Sequence, residues 1–528
     1  MSKDGRQSSG LHKVLPLPKE KAPVPAGGDA RAGNRPARPP VGLAFGAQRQ
    51  RCIPGATVPG QTSLRPESVY KGHRDGKPLP LPPGNKRLPL VGNPATCYNG
   101  GIFQEDSVMD EKKLLRYVLD MGQDMLLCGA EVSRVEDTIT RLLKSYGAAE
   151  VDVMTIPSGI TLSASFKDGL TETQLRRIWN GAYDTDFTRL SMLNELSRRI
   201  CAQKPPVEAL GDGIRAIREN VQHRNRKDLS RLAGYFLAGS AFAVFFGGSL
   251  WDGLASVFTG VLIYLLDGLL KRVHMQRLLQ AFLISLLTGL FAMSLPLLSP
   301  VFHPSYIMIG SIMLLIPGIA MTNSVRDMLT GDTISGTLRL VESLLIACFI
   351  AGGFATAMLL TRNIQSPAEA DTLARLPFVQ ILSAALGSLG FSLIFRVPYK
   401  NLFFCTLGSG LCWSVYLLCM PLLGEGFAAQ ALAALFGAGY AELMARITRA
   451  PATVYNMPVL IALIPGRGLY YTMEAMVRSS RQEVLTWGTA TAISALAIAV
   501  GIVAVAALLT SLRTFSRANR IRRARDAS

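Results

Sequence analysis

Long apolar segments fill the chain after Arg231, and they constrain its fold more than any other feature of the sequence. Most hold about 18 to 25 residues, enough for a helix rising 1.5 Å per residue to cross a hydrocarbon core of roughly 30 Å. We therefore predict a polytopic α-helical membrane protein with ten transmembrane helices. They are placed near residues 232–250, 254–270, 278–298, 306–329, 338–360, 377–395, 402–423, 427–444, 454–477 and 484–512.

The apolar segments form two sets of five that resemble each other. The sequence Leu-Ile-Pro-Gly occurs at residues 315–318 and again, 148 positions later, at residues 463–466. Phe242 matches Phe391 at a nearly equal spacing of 149 positions. Such matches at a constant offset indicate an internal repeat. Because five is an odd number of crossings, the second set must enter the membrane from the opposite side, which predicts two inverted five-helix repeats.

The Ile-Pro-Gly sequence interrupts one membrane helix in each repeat. Proline lacks a backbone donor and clashes with the preceding turn, so Pro317 and Pro465 are expected to break their helices. In lipid, a break is tolerated where protein or a wet cavity satisfies the freed backbone groups. Paired breaks at matching positions of a repeat are therefore typical of a transport site. The alternative is a kink needed only for packing, since proline and glycine are common in membrane helices.

The remainder of the chain divides by composition. Residues 1–107 are rich in proline, glycine and arginine, show no apolar periodicity, and are predicted to be a disordered arm. Met109 opens the folded region, and the sequence leaves open whether the arm belongs to the true start of the protein. The further predicted units are a small α+β soluble domain at 108–226, membrane repeats at 231–361 and 377–512, and a basic tail at 513–528.

The soluble domain is predicted to begin with two helices, because apolar residues recur at helical spacing in residues 114–125 and 132–143. Two β-rich runs around Pro157-Ser158-Gly159 predict a hairpin, and helices are then expected at 173–183, 187–202 and 206–221. The hydroxyl groups of the hairpin have no histidine or cysteine partner of recognisable spacing, so a hydrolase is not favoured. A charged cluster at the start of the second helix is interpreted as an exposed face; its members are Glu131, Arg134, Glu136 and Asp137.

The net charge of +18 is assigned to the membrane surface and not to nucleic acid. Lysine and arginine flank the apolar spans, and no basic patch interleaved with aromatic residues lies on a folded motif. If the soluble domain is cytoplasmic, the loops on its side carry most of this positive charge. That predicts a cell (inner) membrane protein with both termini in the cytoplasm. The scattered cysteines and isolated histidines predict no metal site and no cofactor, and without a Walker A sequence nothing indicates ATP hydrolysis.

Polar groups inside apolar spans are the candidates for function, because such groups are costly in lipid. A helix break offers N–H groups to a carboxylate and carbonyls to an ammonium, and Arg467 adds a guanidinium for the carboxylate. Alternatively, Arg467 extends toward an interface, and Glu342 pairs structurally with Arg339 one turn before it. The candidate substrate-binding residues are Pro317, Gly318, Asn323, Pro465, Gly466, Arg467, Tyr470 and Tyr471. The candidate proton-coupling residues are Glu342, Glu442 and Glu474.

Residues 128–136, Cys-Gly-Ala-Glu-Val-Ser-Arg-Val-Glu, resemble the Gly-x-x-x-x-Arg-Val-Glu signature of the threonine/serine exporter family. The turn at residues 156–160 and the two Ile-Pro-Gly elements resemble those of the same family, and the likeness covers residues 112–512. The resemblance implies a cytoplasmic domain before ten spans and proton-driven export of threonine and serine. Related split-subunit members are linked to dicarboxylate export, so the resemblance leaves the substrate open.

We therefore expect a secondary active exporter of small hydroxy-amino acids, an antiporter and not an enzyme, whose repeats rock about the broken spans. Its expected partners are a small amino-acid substrate, protons and the lipid bilayer, without nucleic acid; a homo-oligomer stays open. The alternatives are a dicarboxylate exporter of the same architecture, a membrane-anchored enzyme acting through the soluble domain, and a structural or sensory membrane protein without flux.

Overall fold

The computed structural model describes residues 104–166, 171–178, 184–225, 229–329, 331–361 and 371–526. The disordered arm predicted at 1–107 lies outside this part of the chain except for its last residues, because the first helix already begins at Gln104. Helices dominate the described residues, and the strands belong to one small sheet near the N-terminal end.

The first elements lie at residues 104–225, and we call this part of the chain the head. In chain order they are α1 (Gln104–Leu127), α2 (Val132–Ser145), β1 (Glu150–Ile156), β2 (Gly159–Ser165), β3 (Thr171–Arg177), α3 (Phe187–Gln203) and α4 (Val207–Asn225). The predicted apolar stripes of α1 and α2 are buried in the core of the head. Gly129 has a φ of +92°, a conformation that glycine adopts without a Cβ clash, and it turns the chain from α1 into α2.

The sheet is antiparallel with the order β1-β2-β3. The predicted hairpin is present, since Ile156 pairs with Gly159 across a two-residue turn. The helix predicted at 173–183 is wrong, because residues 171–177 form strand β3 along the edge of β2. Cross-strand hydroxyl hydrogen bonds, such as that from Thr173 Oγ1 to Ser163 Oγ at 3.0 Å, add to the backbone ladder that β2 supplies.

Twelve further helices follow the head within the described residues. They are α5 (Ser230–Phe245), α6 (Leu250–Arg272), α7 (Arg277–Ser294), α8 (Pro304–Leu315), α9 (Gly318–Leu329), α10 (Thr333–Leu360), α11 (Pro377–Ile394), α12 (Tyr399–Leu423), α13 (Phe427–Thr448), α14 (Thr453–Leu460), α15 (Gly466–Val477) and α16 (Arg481–Asp526). Seven helices of the described chain are long and apolar enough to cross a membrane, or eight if α8 and α9 count as one bent span. Two shorter apolar helices, Ser230–Phe245 and Thr453–Leu463, lie among them.

The membrane helices turn large apolar side chains outward and small or polar ones inward. On α6, Leu254, Phe258 and Leu265 are each more than half exposed, whereas Ser256 and Thr259 are fully buried. In water this distribution would leave an unusually large apolar surface exposed. In a bilayer it is the expected one, because lipid covers the apolar surface while small and polar residues let helices approach closely. The structure therefore has the architecture of a multi-pass helical membrane protein.

The helices carrying the Ile-Pro-Gly sequences are interrupted where the sequence predicts. Helices α8 and α9 are separated at Ile316-Pro317 and bend by 53° there. In the second half, α14 continues into a 3-10 turn, Ile461–Leu463, and α15 begins at Gly466 after Pro465. Each proline has no N–H to continue the helical ladder, so the two interruptions have the same local cause.

The two halves of the membrane helices make corresponding contacts. Helix α5 packs antiparallel on α11, where a methyl group on Gly390 would lie 2.5 Å from Ala238 N. Ser311 Oγ donates to Thr259 Oγ1 at 2.9 Å in the first half. Gly408 and Val459 follow Thr259 and Ser311 by 149 and 148 positions, and they are also in contact. A methyl group on Gly408 would lie 2.7 Å from Val459 Cγ2. These two contacts therefore join pairs of positions that lie 148 to 149 residues apart in the chain.

A second pair of contacts repeats in the same way. In the first half, a methyl group on Gly260 would lie 2.7 Å from the carbonyl oxygen of Tyr235. In the second half, Ser409 Oγ donates to the carbonyl oxygen of Ala384 at 3.3 Å. Both residues of the second contact lie 149 positions after those of the first. The residue types differ between the halves, so these correspondences are a property of the packing.

Candidate functional site

The two helix breaks lie against each other through reciprocal contacts. A methyl group on Gly318 would lie 2.7 Å from Ile464 Cδ1, and one on Gly466 would lie 3.6 Å from Ile316 Cδ1. Ile316 and Ile464 occupy the same position of the two Ile-Pro-Gly sequences, as do Gly318 and Gly466. The two contacts are therefore reciprocal, and the one at Gly318 is the closer. A methyl group would displace Ile464 at Gly318 and Met313 at Gly466.

A cavity of about 250 Å³, which we call the break cavity, opens beside this contact. The residues around it come from both breaks and from the head. Membrane-helix residues include Ile316, Pro317, Gly318, Asn323, Arg277, Arg339, Glu342, Ser343, Ile461 and Ile464; the head contributes Leu126, Gly129, Ala130, Pro157 and Thr185. The head therefore covers one end of a cavity whose other walls are membrane helices.

Charges of both signs line the break cavity. Arg277 Nη1 donates to Glu342 Oε1 at 2.8 Å, so these two groups form an ion pair between α7 and α10. Arg339 Nη1 lies 3.3 Å from Oδ2 of Asp327, which is buried on α9. The expectation that Glu342 pairs with Arg339 on its own helix is wrong, because each finds a partner on a neighbouring helix. Asn323, 4% exposed, adds an amide to the lining.

The candidates that follow the second break lie elsewhere. Tyr470 hydrogen-bonds Ser305 at the start of α8, the end farthest from the head. Tyr471 stacks on Trp487 at 4.7 Å between ring centroids, and the Arg467 guanidinium lies 5.3 Å from the centre of the Tyr471 ring. Glu474 pairs with Arg478 on its own helix. The structure thus places Arg467, Tyr470, Tyr471 and Glu474 on the far side of the breaks, outside the lining of the break cavity.

The predicted set is therefore divided by the breaks. Pro317, Gly318, Asn323 and Glu342 line the break cavity. Gly466 packs on Met313 beside it, and Pro465 precedes α15 without lining the cavity. The remaining candidate, Glu442 on α13, borders a second cavity next to the head. These positions follow from the course of α15, which runs from the break away from the head.

One head residue, Glu131, contacts both broken helices. Its Oε1 accepts a hydrogen bond from Arg326 Nη1 on α9 at 2.6 Å and another from Thr453 Oγ1, at the start of α14, at 3.0 Å. Glu131 is 4% exposed. The interpretation of this residue as part of an exposed charged face is wrong, although Asp137 in the same cluster is exposed.

The environment of Glu131 favours its charged form. Burial raises the pKa of the carboxyl, but the guanidinium groups of Arg326 and Arg134 and the hydrogen bond from Thr453 outweigh burial and leave the pKa below its usual value of 4.5. The carboxylate is therefore ionised at neutral pH, which keeps the ion pair to α9 intact.

Other polar contacts hold the head on the same end of the bundle. Arg396, just after α11, lies 2.9 Å from Asp184 Oδ2 and 3.4 Å from Asp186 Oδ2. Thr188 Oγ1 donates to the Arg396 carbonyl oxygen, and Ser335 Oγ on α10 donates to the Thr155 carbonyl oxygen, both within 2.8 Å. The apolar core of the head is also continuous with residues of α13 and α14, among them Met444 and Val454.

Several of these residues were not singled out by their sequence pattern. In the sequence, Arg277 is one of many loop charges that flank apolar spans, and Ser343 is an ordinary helix residue. A charge-balanced pair on adjacent helices is visible only when the helices are packed. The sequence does contain a signal for Glu131. This carboxyl group lies just before the Arg-Val-Glu motif, at the turn between α1 and α2.

These observations define a class of protein: a multi-pass helical membrane protein with two broken helices that meet beside a mainly apolar cavity lined by a few charged groups. Comparison with known proteins then gives its family. Residues 116–361 match a family model of threonine/serine exporters, and residues 380–508 match a second model described as threonine/serine exporter, ThrE. Together the two models cover well over half of the chain. The chain belongs to the threonine/serine exporter family.

Two curated relatives are consistent with this assignment. A Mycobacterium tuberculosis (strain ATCC 25618 / H37Rv) protein named "Probable threonine/serine exporter" is 24% identical over 440 residues, 81% of each chain. A Corynebacterium glutamicum protein named "Threonine/serine exporter" is 22% identical over 394 residues, 72% of this chain and 80% of the relative. No solved structure matches the chain.

Proposed function

We propose that the protein exports threonine, serine or a similarly small hydroxy-amino acid through the break cavity. The observation that carries the proposal is the reciprocal contact of the two helix breaks beside a cavity with charges of both signs. Membership of the threonine/serine exporter family supports the same substrate class. Broken helices that meet at a repeat interface are the usual place for substrate binding in secondary transporters.

The lining offers a group for each part of an amino acid. An α-carboxylate is matched by the Arg339 or Arg277 guanidinium and by the free N–H groups at the start of α9, where Gly318 lies. The α-ammonium is matched by the Glu342 carboxylate, and a side-chain hydroxyl by the amide of Asn323. The substrate would exchange for the existing partners of these charges, so the site stays neutral with and without it.

The size of the cavity agrees with a small ligand. A cavity needs roughly 10–15 Å³ to hold one water. At about 250 Å³, the break cavity has room for several waters or for one small amino acid. The charge balance favours a zwitterion over a dicarboxylate, because Arg277 and Arg339 each already have a carboxylate partner. A dianion would leave the lining carboxylates without compensation.

The proposed transport cycle uses ten spans arranged as two inverted repeats. Counting α8 with α9 and α14 with α15 as single broken spans gives ten crossings, with α5 as the shortest. The corresponding contacts of the two halves and the antiparallel packing of α5 on α11 support this arrangement. Rocking of the repeats about the breaks would expose the cavity alternately to the two sides. Both termini would then lie on the head side, in the cytoplasm of the cell.

We assign proton coupling, as part of the same proposal, to the Glu342 carboxylate. It lines the break cavity and its partner Arg277 lies on another helix, so substrate and proton compete for one group. Glu442 and Glu474 are less well placed, since one borders the second cavity and the other pairs with Arg478 on the far side. A proton on Glu342 would release an ammonium bound there, as exchange of substrate for protons requires.

The test is counterflow and export in proteoliposomes that carry a pH gradient. Threonine or serine should leave loaded vesicles faster than from vesicles without protein, and Glu342→Gln should raise the KM roughly tenfold or more by removing the charged partner of the ammonium. Glu342→Gln should also remove the dependence of the rate on the pH gradient.

Glu483→Gln, an exposed carboxyl change outside the break cavity, is the matched control and should behave as the wild type. Flux of dicarboxylates alone would replace the amino-acid proposal by its alternative. No flux of any small acid, with protein that is folded and inserted, would refute transport.

A further inference from the structure

A second cavity, of about 880 Å³, lies between the head and the end of α13. Its walls are α2 and α3 on the head side and residues 442–452 on the membrane side. Five arginines and three carboxylate residues line it, so we call it the arginine cavity. The arginines are Arg134, Arg141, Arg198, Arg446 and Arg449.

The charges of the arginine cavity do not balance. Arg141 is neutralised by Asp137 at 2.7 Å, and Glu131 already pairs with Arg326 outside the cavity. In the described part of the chain, Arg134, Arg198, Arg446 and Arg449 make no ion pair within 4 Å. The lining carboxylates that oppose them are Glu442 and Glu131, and Glu131 is shared between Arg134 and Arg326. Positive charge is therefore in excess across this space.

Arg134 has an N–H group that can still donate a hydrogen bond. Its Nε is buried and has no acceptor among the described residues. A buried guanidinium N–H without an acceptor is costly, and such groups usually mark a site for water or an anion. Arg198 is held in place, because its Nη1 donates to the carbonyl oxygen of Arg449 at 3.3 Å. That hydrogen bond also offsets the negative end of α13, which would otherwise oppose an anion.

We propose that the arginine cavity binds a phosphate-type anion held by Arg134, Arg198, Arg446 and Arg449. Guanidinium groups bind phosphate oxygens in pairs, and several converging on one space select a doubly charged tetrahedral anion over chloride. Arg446 and Arg449 end a membrane helix, so the phosphate group can come from an anionic lipid headgroup or from a soluble phosphate. The site is separate from the break cavity and does not depend on the proposed transport.

Binding at this site would strengthen the docking of the head. Arg134 and Arg198 belong to the head, whereas Arg446 and Arg449 belong to the membrane helices. An anion between them would bridge the two parts, next to the Glu131 contact with α9 and α14. A ligand that binds only the docked state stabilises that state in proportion to its concentration and affinity.

The test uses the full chain in nanodiscs of phosphatidylcholine, titrated with inorganic phosphate and with pyrophosphate at constant ionic strength. The Tm should rise saturably, whereas sodium chloride should have no saturable effect. Arg446→Gln and Arg198→Gln should each weaken the apparent Kd about tenfold or more. Arg446 makes no hydrogen bond in the described structure that its replacement would remove, so a folding defect is not expected for that variant.

Arg199→Gln is the matched control, because Arg199 neighbours Arg198 on α3 but is paired with Glu195 on the surface. It should respond to phosphate as the wild type does. A second set of nanodiscs, made with phosphatidylglycerol, distinguishes the two sources of phosphate. The site is assigned to lipid if these nanodiscs stabilise the wild type but not Arg446→Gln, and if soluble phosphate has no effect. Wild-type responses in both cavity variants, or no response to either source, would overturn the proposal.

Discussion

Glu131 is the residue on which the connection between the head and the broken helices depends. Its carboxylate oxygen is shared by Arg326, beyond the first break, and Thr453, before the second. Alternating access of the kind proposed moves α9 and α14 relative to each other, and a carboxylate that holds both favours the arrangement seen here. A change in either hydrogen bond would therefore shift the balance between the two states of the cavity.

The first prediction is that Glu131→Gln destabilises the protein by roughly 1.5–3 kcal/mol at neutral pH, because a charge-assisted hydrogen bond to Arg326 is lost. The folded pKa of Glu131 lies below 4.5, so the wild type gains this stability above pH 4.5 and loses it as the pH falls through the lower, folded value. Thermal unfolding of both proteins between pH 3 and pH 7, on the order of five pH points, measures the difference.

Glu195→Gln is the control for this series, since Glu195 is exposed on α3 and forms a surface ion pair with Arg199, one turn along the same helix. Its free energy of unfolding should follow that of the wild type within about 0.5 kcal/mol at every pH. A constant gap between Glu131→Gln and the wild type across the whole pH range would show that ionisation of Glu131 contributes nothing.

At the scale of elements, the two breaks are the most specific feature of the molecule. Each Ile-Pro-Gly ends one helix and starts another, and the helices of the first break bend by 53°. Gly318 and Gly466 let the two breaks approach through Ile464 and Ile316. A continuous helix in either place would move an isoleucine out of the cavity wall. The breaks thus fix both the shape of the break cavity and the start of α9.

The second prediction concerns Pro465→Ala/Gly466→Ala. The double change restores a backbone donor to the helix and adds a methyl group against the Met313 thioether, so α14 and α15 should straighten toward one helix. Export should fall by about tenfold or more, with the protein still inserted, because displaced cavity groups lose alignment with the substrate. Proteoliposome export and the Tm are measured together.

Gly439→Ala, in the middle of α13, provides the matched glycine change, since a methyl group there meets nothing within 4 Å. It should leave export and Tm close to the wild type. Normal export by the Pro465→Ala/Gly466→Ala protein would mean that the break serves packing alone.

At the scale of the molecule, the head closes one end of the membrane helices. It contacts the ends of α9, α10, α11 and α13 and the start of α14, and it covers the break cavity on that side. On the far side of the breaks, Tyr470, Tyr471 and Trp487 form an aromatic group. The two ends of the membrane helices are therefore packed by different structures, one of them outside the membrane helices.

The third prediction is that the head and the C-terminus lie on the same side of the membrane. Single cysteines at Gly424 and Ser479, in a background without native cysteines, should react with an impermeant maleimide from outside the cell. A cysteine at His274, in the turn between α6 and α7, should react only after the membrane is opened, because the positive loops stay inside.

A tag after residue 528 should likewise be protected from external protease. If His274→Cys reacted with the maleimide from outside the intact cell, the head and the C-terminus would have to be assigned to the outer side of the membrane. Labelling of Gly424→Cys and Ser479→Cys from opposite sides would contradict the even number of crossings between them.

The sequence by itself determined what is local. Apolar segments of membrane length identify the class of fold, because lipid demands helices whose backbone groups are paired internally. Pro317 and Pro465 place the breaks, since a missing N–H acts on its own turn. The buried stripes of α1 and α2 follow from helical periodicity for the same reason. The edge strand β3 was not predicted from the sequence, because its hydrogen bonds depend on the neighbouring strand β2.

Only the tertiary structure decided which of the candidate residues share a space. Glu131 and Arg326 are 195 positions apart, and no periodicity connects them. Glu342 pairs with Arg277 on α7 and not with Arg339, one turn away on its own helix, because the packing of α7 on α10 brings Arg277 within 2.8 Å. Asn323 lines the break cavity, whereas Arg467 lies on the far side of the breaks, because α9 and α15 leave their breaks in opposite directions. Residue types are fixed along the chain, but a binding cavity is defined by distances across it.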